Sequence, residues 1–327
     1  MNKIDQPDCL ETEEAERLEN VTAAAHPAPF SWESVRVPLA FLTVLLIWST
    51  TPLAIAKSVG GVPFTSALLR MSIGATFCVL VLMLRSHPLP LTPTTKRLYL
   101  ISGGSIFGSM SLIYTAAQTI PSGWIAVLFG LSPIITGLFA LPFEPESKLT
   151  PVKVAGLLLG FTGLYLVFSA GISFEAMASM GIVYVFLAVL IASASSVAMR
   201  HISINVEISG MQLTTGGLLV AIPLFMTLAF FTESLDDMAY GATEITAALY
   251  LGLIGTGIGF TVYFFLLKRM SASRVALITL ITPISSLALG AQLNNEPLLP
   301  GIWVGAVCVS IGLLLYEFKP RLGFRKL

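Results

Sequence analysis

Charge is scarce in this chain of 327 residues. Charged residues make up 11% of it and hydrophobic residues 55%, with a mean hydropathy of +0.86. A soluble globular domain has about a quarter charged residues. No Asp or Glu falls inside any of the long apolar runs. The composition excludes an ordinary soluble protein and predicts an integral membrane protein that contacts the lipid bilayer.

Several kinds of functional site lack the residues they would need. The three cysteines form no disulfide framework, since Cys78 and Cys308 lie in apolar runs. The net charge is zero, so no basic surface favours nucleic acid. His, Cys and acidic residues do not cluster within the apolar runs. We therefore expect no metal site, no cofactor and no catalytic residues, and the chain is not predicted to be an enzyme.

Apolar runs of membrane-spanning length recur along the chain. About 20 apolar residues in a helix cross a hydrocarbon layer of about 30 Å, and only helices satisfy every backbone group within one segment. We predict an all-α integral membrane protein with ten transmembrane helices. They lie approximately at residues 37–56, 64–84, 98–118, 123–141, 154–172, 178–199, 208–231, 246–267, 275–292 and 301–316.

The chain also contains an internal repeat. Tyr114 aligns with Tyr263 and Pro133 with Pro283, at an offset of 149 or 150 residues. Five spans in each copy would make the two copies insert in opposite directions. Such inverted repeats are typical of carriers that rock around a site near the membrane midplane. The predicted organisation is an acidic, disordered tail (1–36), two five-helix repeats (37–172 and 174–318) and a basic tail (319–327).

The positions of Lys and Arg predict the orientation. With the N-terminus in the cytoplasm, 16 of the 18 basic residues lie on the cytoplasmic side. Lys57 then lies outside, and Arg70 is the one basic residue within a span. We expect a multi-pass protein of the cell inner (plasma) membrane with both termini cytoplasmic.

These features resemble the EamA branch of the drug/metabolite transporter superfamily. The matching residues are the first-span segment IWSTTPLAIAK, Arg70 in LLRMSIGA, the midspan SP and TP motifs, and the acidic Glu144 and Glu296. The resemblance covers about residues 38 to 318. It implies ten helices in two repeats and the export of metabolites such as amino acids. The first-span motif departs from the family's frequent W-G-S-N, since Thr50 and Thr51 follow Trp48 and Ser49.

Two prolines mark the predicted site. Pro133 and Pro283 fall in the middle of the fourth and ninth spans, after Ser132 and Thr282. A proline inside a helix frees the carbonyl four residues earlier, which for Pro283 is that of Thr279. The freed carbonyls either contact substrate or belong to structural kinks satisfied by neighbouring hydroxyls.

Aromatic and polar side chains of other spans complete the predicted cavity. Trp48 lies deep in the first span, where it either lines a cavity or packs between helices. Tyr114 and Tyr263 are repeat-related, and Gln118 is expected one turn beyond Tyr114 on the same helix face. For these three, cavity lining and hydrogen bonding between helices are equally open. The family's cavity-forming spans imply a lining that includes Trp48, Thr51, Tyr114, Gln118, Ser132, Tyr263, Thr279 and Thr282, with Pro133 and Pro283 shaping the path.

Arg70 is a candidate charge site. A charged residue within a span is costly unless it is paired or hydrated. It would either attract a substrate carboxylate or extend to the interface and bond helix-end carbonyls. Because no span contains an acid, a proton relay through a central carboxylate is not expected.

The predicted function is the alternating-access export of small neutral or zwitterionic metabolites, with a small-molecule substrate and the lipid bilayer as partners. A drug or nucleobase exporter and a metabolite exchanger are alternatives. From another class, a non-transporting membrane subunit or sensor would have a sealed, apolar interior. The sequence also leaves a homodimer open as an alternative to a monomer.

Overall fold

The computed structural model describes residues 32–143, 150–170, 176–234, 236, 239–280, 282–295 and 300–317. Helices make up almost all of these residues, and no strand occurs among them. The predicted all-helical class is therefore confirmed. Glu144, Glu296 and most of the two predicted tails lie outside the described residues, while the first helix begins ahead of its predicted start at residue 37.

Thirteen α-helices are described, and several begin at a recognisable capping residue. Ser209 and Gln212 form a reciprocal capping box, and the Thr92 hydroxyl accepts a hydrogen bond from the backbone N–H of Thr95. The helices are α1 (Trp32–Ser58), α2 (Pro63–Leu84), α3 (Pro93–Ala116), α4 (Ser122–Phe129), α5 (Ser132–Ala140), α6 (Pro151–Ala170), α7 (Ala176–Ser203), α8 (Gly210–Thr232), α9 (Ala242–Tyr250), α10 (Gly259–Arg269), α11 (Ala272–Ala276), α12 (Thr282–Asn294) and α13 (Pro300–Glu317).

Eight helical stretches in the described part of the chain are long and apolar enough to cross a membrane. They match eight of the ten predicted spans. The fifth and tenth predicted spans correspond to α6 and α13, whose apolar stretches are shorter, at Pro151–Gly163 and Pro300–Tyr316. The chain is thus a multi-pass membrane protein, and the ten-span count stays a prediction.

The fourth and ninth spans are interrupted at the two predicted prolines. Helix α4 ends at Phe129, and α5 begins at Ser132 with Pro133 in its first turn. In the ninth span a 3-10 turn, Leu277–Leu280, separates α11 from α12, and Pro283 again lies in the first turn of the second helix. The backbone N–H groups in the first turn of a helix have no partner within that helix, so proline, which has no N–H, is tolerated there. Both prolines therefore start a new helix instead of kinking a continuous one.

The eighth span contains a π-helical segment, Leu251–Ile258, between α9 and α10. Its glycines allow α2 to approach closely. A Cβ built on Gly252 would lie 2.5 Å from the Ile73 side chain and 3.1 Å from the carbonyl oxygen of Arg70. The glycine run thereby packs this segment against α2.

Helices α6 and α13 cross at two glycine pairs. A Cβ built on Gly156 would lie 2.4 Å from the carbonyl oxygen of Gly312, and one built on Gly163 would lie 2.6 Å from that of Gly305. The sequence repeat aligns Gly156 with Gly305 and Gly163 with Gly312. The two contacts therefore exchange repeat-related positions, as contacts related by a two-fold axis do.

Glu233, which follows α8, caps the N-terminus of α2. Its carboxylate accepts hydrogen bonds from the backbone N–H groups of Phe64 (2.6 Å) and Thr65 (2.8 Å) and from the Thr65 hydroxyl (2.7 Å). A carboxylate at this position also complements the positive end of the helix dipole. We call this end of the helices the Glu233 end.

Tyr240 covers the turn between α1 and α2 at the Glu233 end. Its hydroxyl lies 2.5 Å from Ser66 Oγ, and the neighbouring N–H of Ala239 donates to the carbonyl of Gly60 at 2.9 Å. Gly60 has a φ of +53°, and a Cβ there would lie 2.3 Å from the Tyr240 ring. Burial raises the pKa of Tyr240 above its ordinary value of 10.0, and the hydrogen bond to Ser66 offsets part of the rise.

Two basic residues hold the opposite end, which we call the Lys268 end. Lys268 Nζ donates to the carbonyls of Val206 and Ile208, both at 2.8 Å. Arg200 donates to the carbonyls of Leu267 (3.1 Å) and Lys268. These bonds satisfy backbone acceptors in the connection between α7 and α8 and at the C-terminus of α10, where cations are favoured.

The Lys268 end also contains the connection between α2 and α3. Gln212 Nε2, in the first turn of α8, donates to the carbonyl of Pro88 at 2.7 Å. The Tyr99 hydroxyl, on α3, donates to the carbonyl of Pro90 at 3.0 Å. The connection is therefore fixed on both sides.

Candidate functional site

A cavity of about 140 Å³ lies among the helices. Its lining comes from α1, α2, α3, α4, α7, α10 and α12 and from the 3-10 turn of the ninth span. Both interrupted spans reach it, through Phe129 at the end of α4 and through Thr279 and Thr282 beside the ninth-span break. Interrupted helices expose backbone polar groups, which suit a polar ligand.

One wall of the cavity is aromatic. The rings of Trp48 and Tyr263 lie 5.1 Å apart between centroids, at an angle of 37°. The Tyr263 hydroxyl lies 2.5 Å from Ser196 Oγ, which fixes the ring. Phe260 and Phe264 line the same cavity. Such a wall suits an apolar group, and its ring faces also attract cations.

Arg70 supplies the charge. Its side chain is only 1% exposed, and its Nε donates to Thr256 Oγ1 at 2.8 Å. Nη1 lies 3.9 Å from the sulfur of Met110. Arg70 is the one charged residue among the described residues that line the cavity. No carboxylate of the described chain forms an ion pair with it.

The lining is mostly apolar, and hydroxyl groups supply most of its other polar atoms. Those of Thr51, Ser109, Ser196 and Thr279 each donate to a backbone carbonyl three or four residues earlier, at 2.6 to 2.9 Å. A hydroxyl bonded in this way has used its single proton but still has a free lone pair. These groups can therefore accept hydrogen bonds from a ligand.

The described part of the chain contains no cluster of three or more His, Cys, Asp or Glu side chains that could hold a metal ion. The cavity offers one cation, hydroxyl acceptors and an aromatic wall. This combination is suited to binding a small molecule with a polar head and an apolar body.

The structure brings together six of the eleven predicted site residues. These line the cavity: Trp48, Thr51, Arg70, Tyr263, Thr279 and Thr282. A role for them in binding substrate stays a prediction.

The other five predicted residues lie away from the cavity lining. Ser132, Pro133 and Pro283 are buried at the helix breaks. Tyr114 is fully buried outside the lining, and its hydroxyl has no hydrogen-bond partner among the described residues. Gln118 is exposed in the turn after α3, which ends at Ala116, so the expected shared helix face with Tyr114 is wrong.

Sequence reasoning missed several lining residues. Ser102, Ser105 and Ser109 face the cavity from α3, and Ser196 faces it from α7. The three α3 serines recur at spacings of three and four residues in an apolar helix. That pattern places them on one helix face and would have identified the correct side of α3.

Comparison with known proteins matches this chain to one family of transporters. A sequence model described as the EamA-like transporter family matches residues 36–169 and again residues 179–318. "Uncharacterized transporter YvbV" of Bacillus subtilis (strain 168) is 27% identical over 292 residues, covering 86% of this chain and 91% of that protein. A Salmonella typhimurium (strain LT2) protein named "Probable amino-acid metabolite efflux pump" is 25% identical over 230 residues, covering 67% and 74%. A solved crystal structure shares the fold, with a TM-score of 0.68, 22% identity and coverage of 86% and 96%.

Proposed function

The chain belongs to the EamA-like transporter family, and from this premise we propose that it carries small metabolites across the inner membrane by alternating access. The favoured substrates are zwitterionic amino acids and related compounds, moving outward. The observation that carries the proposal is the cavity, because both family-matched halves of the chain line it. A carrier that rocks one half against the other needs its site between them.

Two features support an arrangement of ten helices in two inverted repeats. The glycine contacts between α6 and α13 exchange repeat-related positions. The fourth and ninth spans break at the repeat-related Pro133 and Pro283. Paired interruptions in the two halves are the strongest sequence sign of a carrier site.

The distribution of charge supports cytoplasmic termini. Described cations at the Lys268 end include Arg85, Lys96, Arg200 and Lys268. The Glu233 end contains Lys57 together with the acidic Glu233 and Glu244, and with fewer cations it faces out by the positive-inside rule.

The cavity chemistry supports a zwitterionic substrate. Arg70 can pair with a carboxylate, the hydroxyl lone pairs can accept from an ammonium, and the Trp48–Tyr263 wall can pack against a side chain. The name of the Salmonella typhimurium relative agrees with this substrate class. A non-transporting subunit or sensor would need no charged side chain in such a cavity.

Transport into and out of proteoliposomes tests the proposal. Vesicles loaded with a mixed pool of amino acids and metabolites should release a small set of compounds through the wild-type protein. Trp48→Ala should reduce that release about tenfold, because it removes the aromatic wall. Phe231→Ala, an exposed aromatic residue outside the cavity lining, is the matched control and should behave like wild type.

A pH gradient across the vesicles should leave the flux unchanged, because no acidic residue lines the cavity in the described part of the chain. Flux that follows the gradient would disprove facilitative transport. The absence of any flux would disprove the carrier and favour the subunit or sensor.

A further inference from the structure

We propose that Arg70 binds the carboxylate group of the transported molecule and that the substrates are small carboxylates. The proposal rests on the proposed carrier function and deepens it. It specifies which chemical group every substrate has in common and which side chain recognises that group.

The first observation is an uncompensated charge. Arg70 is 1% exposed, and an arginine side chain stays protonated in proteins. A buried charge is costly unless it is paired and hydrogen-bonded. No carboxylate of the described chain pairs with Arg70, and the residue lines the cavity. An anion that enters the cavity would complete the pair.

The second observation is the set of free donors. A guanidinium has five N–H groups, and here Nε is bound by Thr256 Oγ1 at 2.8 Å. The other recorded partner is the Met110 sulfur, a weak acceptor at 3.9 Å. No hydrogen bond of the described residues involves Nη2, which lies 3.5 Å from a Cβ built on Gly255, an ordinary contact distance. Thr256 thus orients the group and leaves the two terminal nitrogens for a bidentate carboxylate.

The third observation is that packing does not require arginine at this position. The carbonyl oxygen of Arg70 lies 3.1 Å from a Cβ built on Gly252. In the other half, the carbonyl oxygen of Gly217 lies 2.6 Å from a Cβ built on Gly103, the repeat-related partner of Gly252. Both contacts are made by backbone carbonyl oxygens, so this close approach of helices does not depend on the arginine side chain.

Size and charge narrow the substrate class. A cavity of about 140 Å³ is close to the roughly 150 Å³ that holds one benzene molecule in another protein. One cation balances one negative charge, so a monocarboxylate fits and a doubly charged phosphate leaves a charge unpaired. The substrates are expected to be carboxylates of about six to ten non-hydrogen atoms.

A matched set of four compounds tests this inference. Leucine, leucinamide, 4-methylpentanoate and 4-methylpentanamide share one carbon skeleton and vary the carboxylate and the amino group independently. Full-length protein in lipid nanodiscs is equilibrated with all four by dialysis, and the bound compounds are quantified by mass spectrometry. Wild type should retain the two carboxylates at least tenfold more than their amides.

Substitutions test whether the Arg70 side chain causes the preference for carboxylates over amides. Arg70→Gln should reduce the preference for carboxylates to within twofold, and Arg70→Lys should keep part of it because the charge remains without the fork. Arg97→Gln, which removes an exposed cation, is the matched control and should retain it in full. If Arg70→Gln does not fold, as judged by elution volume and thermal transition, Thr256→Val provides the test. Thr256→Val leaves the Arg70 cation in place but removes the hydrogen bond that orients it. It should reduce the preference for carboxylates about threefold.

Equal retention of carboxylates and amides by wild type would overturn the proposal, as would an unchanged preference in folded Arg70→Gln. Comparing leucine with 4-methylpentanoate shows whether the site prefers amino acids or simple acids. A preference for either kind of carboxylate agrees with the inference. Vesicle flux that transports amides as readily as carboxylates would leave the carrier function standing and remove only this assignment.

Discussion

The two ends of the helices are held together in different ways. At the Glu233 end the hydrogen bonds of Glu233, Ala239 and Tyr240 join the first family-matched half of the chain to the second. At the Lys268 end the bonds of Lys268 and Arg200 stay within the second half. Among the described residues, the Gln212–Pro88 bond crosses between halves there.

From this difference we expect the Glu233 end to resist opening more than the Lys268 end. If the two halves rock against each other, opening the Glu233 end must break a carboxylate cap and a tyrosine hydrogen bond, whereas the Lys268 contacts move as one body. In the proposed orientation, the end that should resist opening faces the outside. The following substitutions test that comparison.

Glu233→Gln should have the largest effect. Removing the charge weakens three hydrogen bonds and the interaction with the α2 dipole, at a cost of about 2 kcal/mol. The thermal unfolding temperature measured in detergent should fall accordingly. A cysteine placed at the cavity-lining Ile55 should also react roughly tenfold faster with an impermeant maleimide added at the Glu233 end.

Glu244→Gln is the matched control for that substitution. Glu244 accepts a hydrogen bond from the N–H of Gly241, at the start of its own helix, at 2.8 Å. This hydrogen bond lies within one half of the chain, so its loss should leave the maleimide labelling unchanged. If both substitutions accelerate labelling equally, the Glu233 contact is not what closes that end.

Lys268→Met should lower stability by about 1.5 kcal/mol without changing labelling from either end, because it leaves two carbonyls without their charged donor but breaks no contact between halves. Unfolding and labelling measured on the same sample separate these effects. Arg274→Met, at an exposed cation on the next helix, should change neither. Faster labelling in Lys268→Met would show that the Lys268 end also joins the halves.

Tyr240→Phe should have the smallest effect, about 1 kcal/mol for the lost hydrogen bond to Ser66. The pKa of Tyr240 is raised in the folded protein, so its contribution is present at neutral pH and is lost as the pH rises through that raised value. Between about pH 8 and pH 11, wild type should lose more stability than the variant. Tyr165→Phe, at an exposed tyrosine, is the control and should follow wild type. Identical curves of stability against pH for Tyr240→Phe and wild type would contradict the hydrogen bond between Tyr240 and Ser66.

Sequence alone predicted the helical class, the positions of eight spans and the places where two of them are interrupted, because apolar length and proline are strong local signals. The predicted lining residues Trp48 and Thr51 and the candidate charge site Arg70 all face the cavity, since a polar or charged group deep in an apolar helix has few other places to go. The hydrogen bonds of Glu233 and Lys268 could not be predicted, because they join segments far apart in sequence.

The repeat was misleading at Tyr114. Its alignment with Tyr263 placed both residues in the cavity, yet only Tyr263 lines it. The eighth span contains the π-helical segment Leu251–Ile258, whereas α3 is α-helical throughout. A π-helix has more residues per turn, so the residues after it face a different direction from their counterparts in α3. Repeat-related residues are then no longer on equivalent faces.

The single charge of Arg70 also has an electrical consequence. With no acid beside it in the described lining, the empty cavity has one net positive charge, and the cavity loaded with a simple monocarboxylate has none. Moving one charge across the full membrane field involves about 2.3 kcal/mol per 100 mV. For a simple monocarboxylate, membrane voltage would therefore act on the return of the empty carrier and leave the loaded step unaffected. For a zwitterion it would act on both steps, so the dependence of transport on voltage distinguishes the two kinds of substrate.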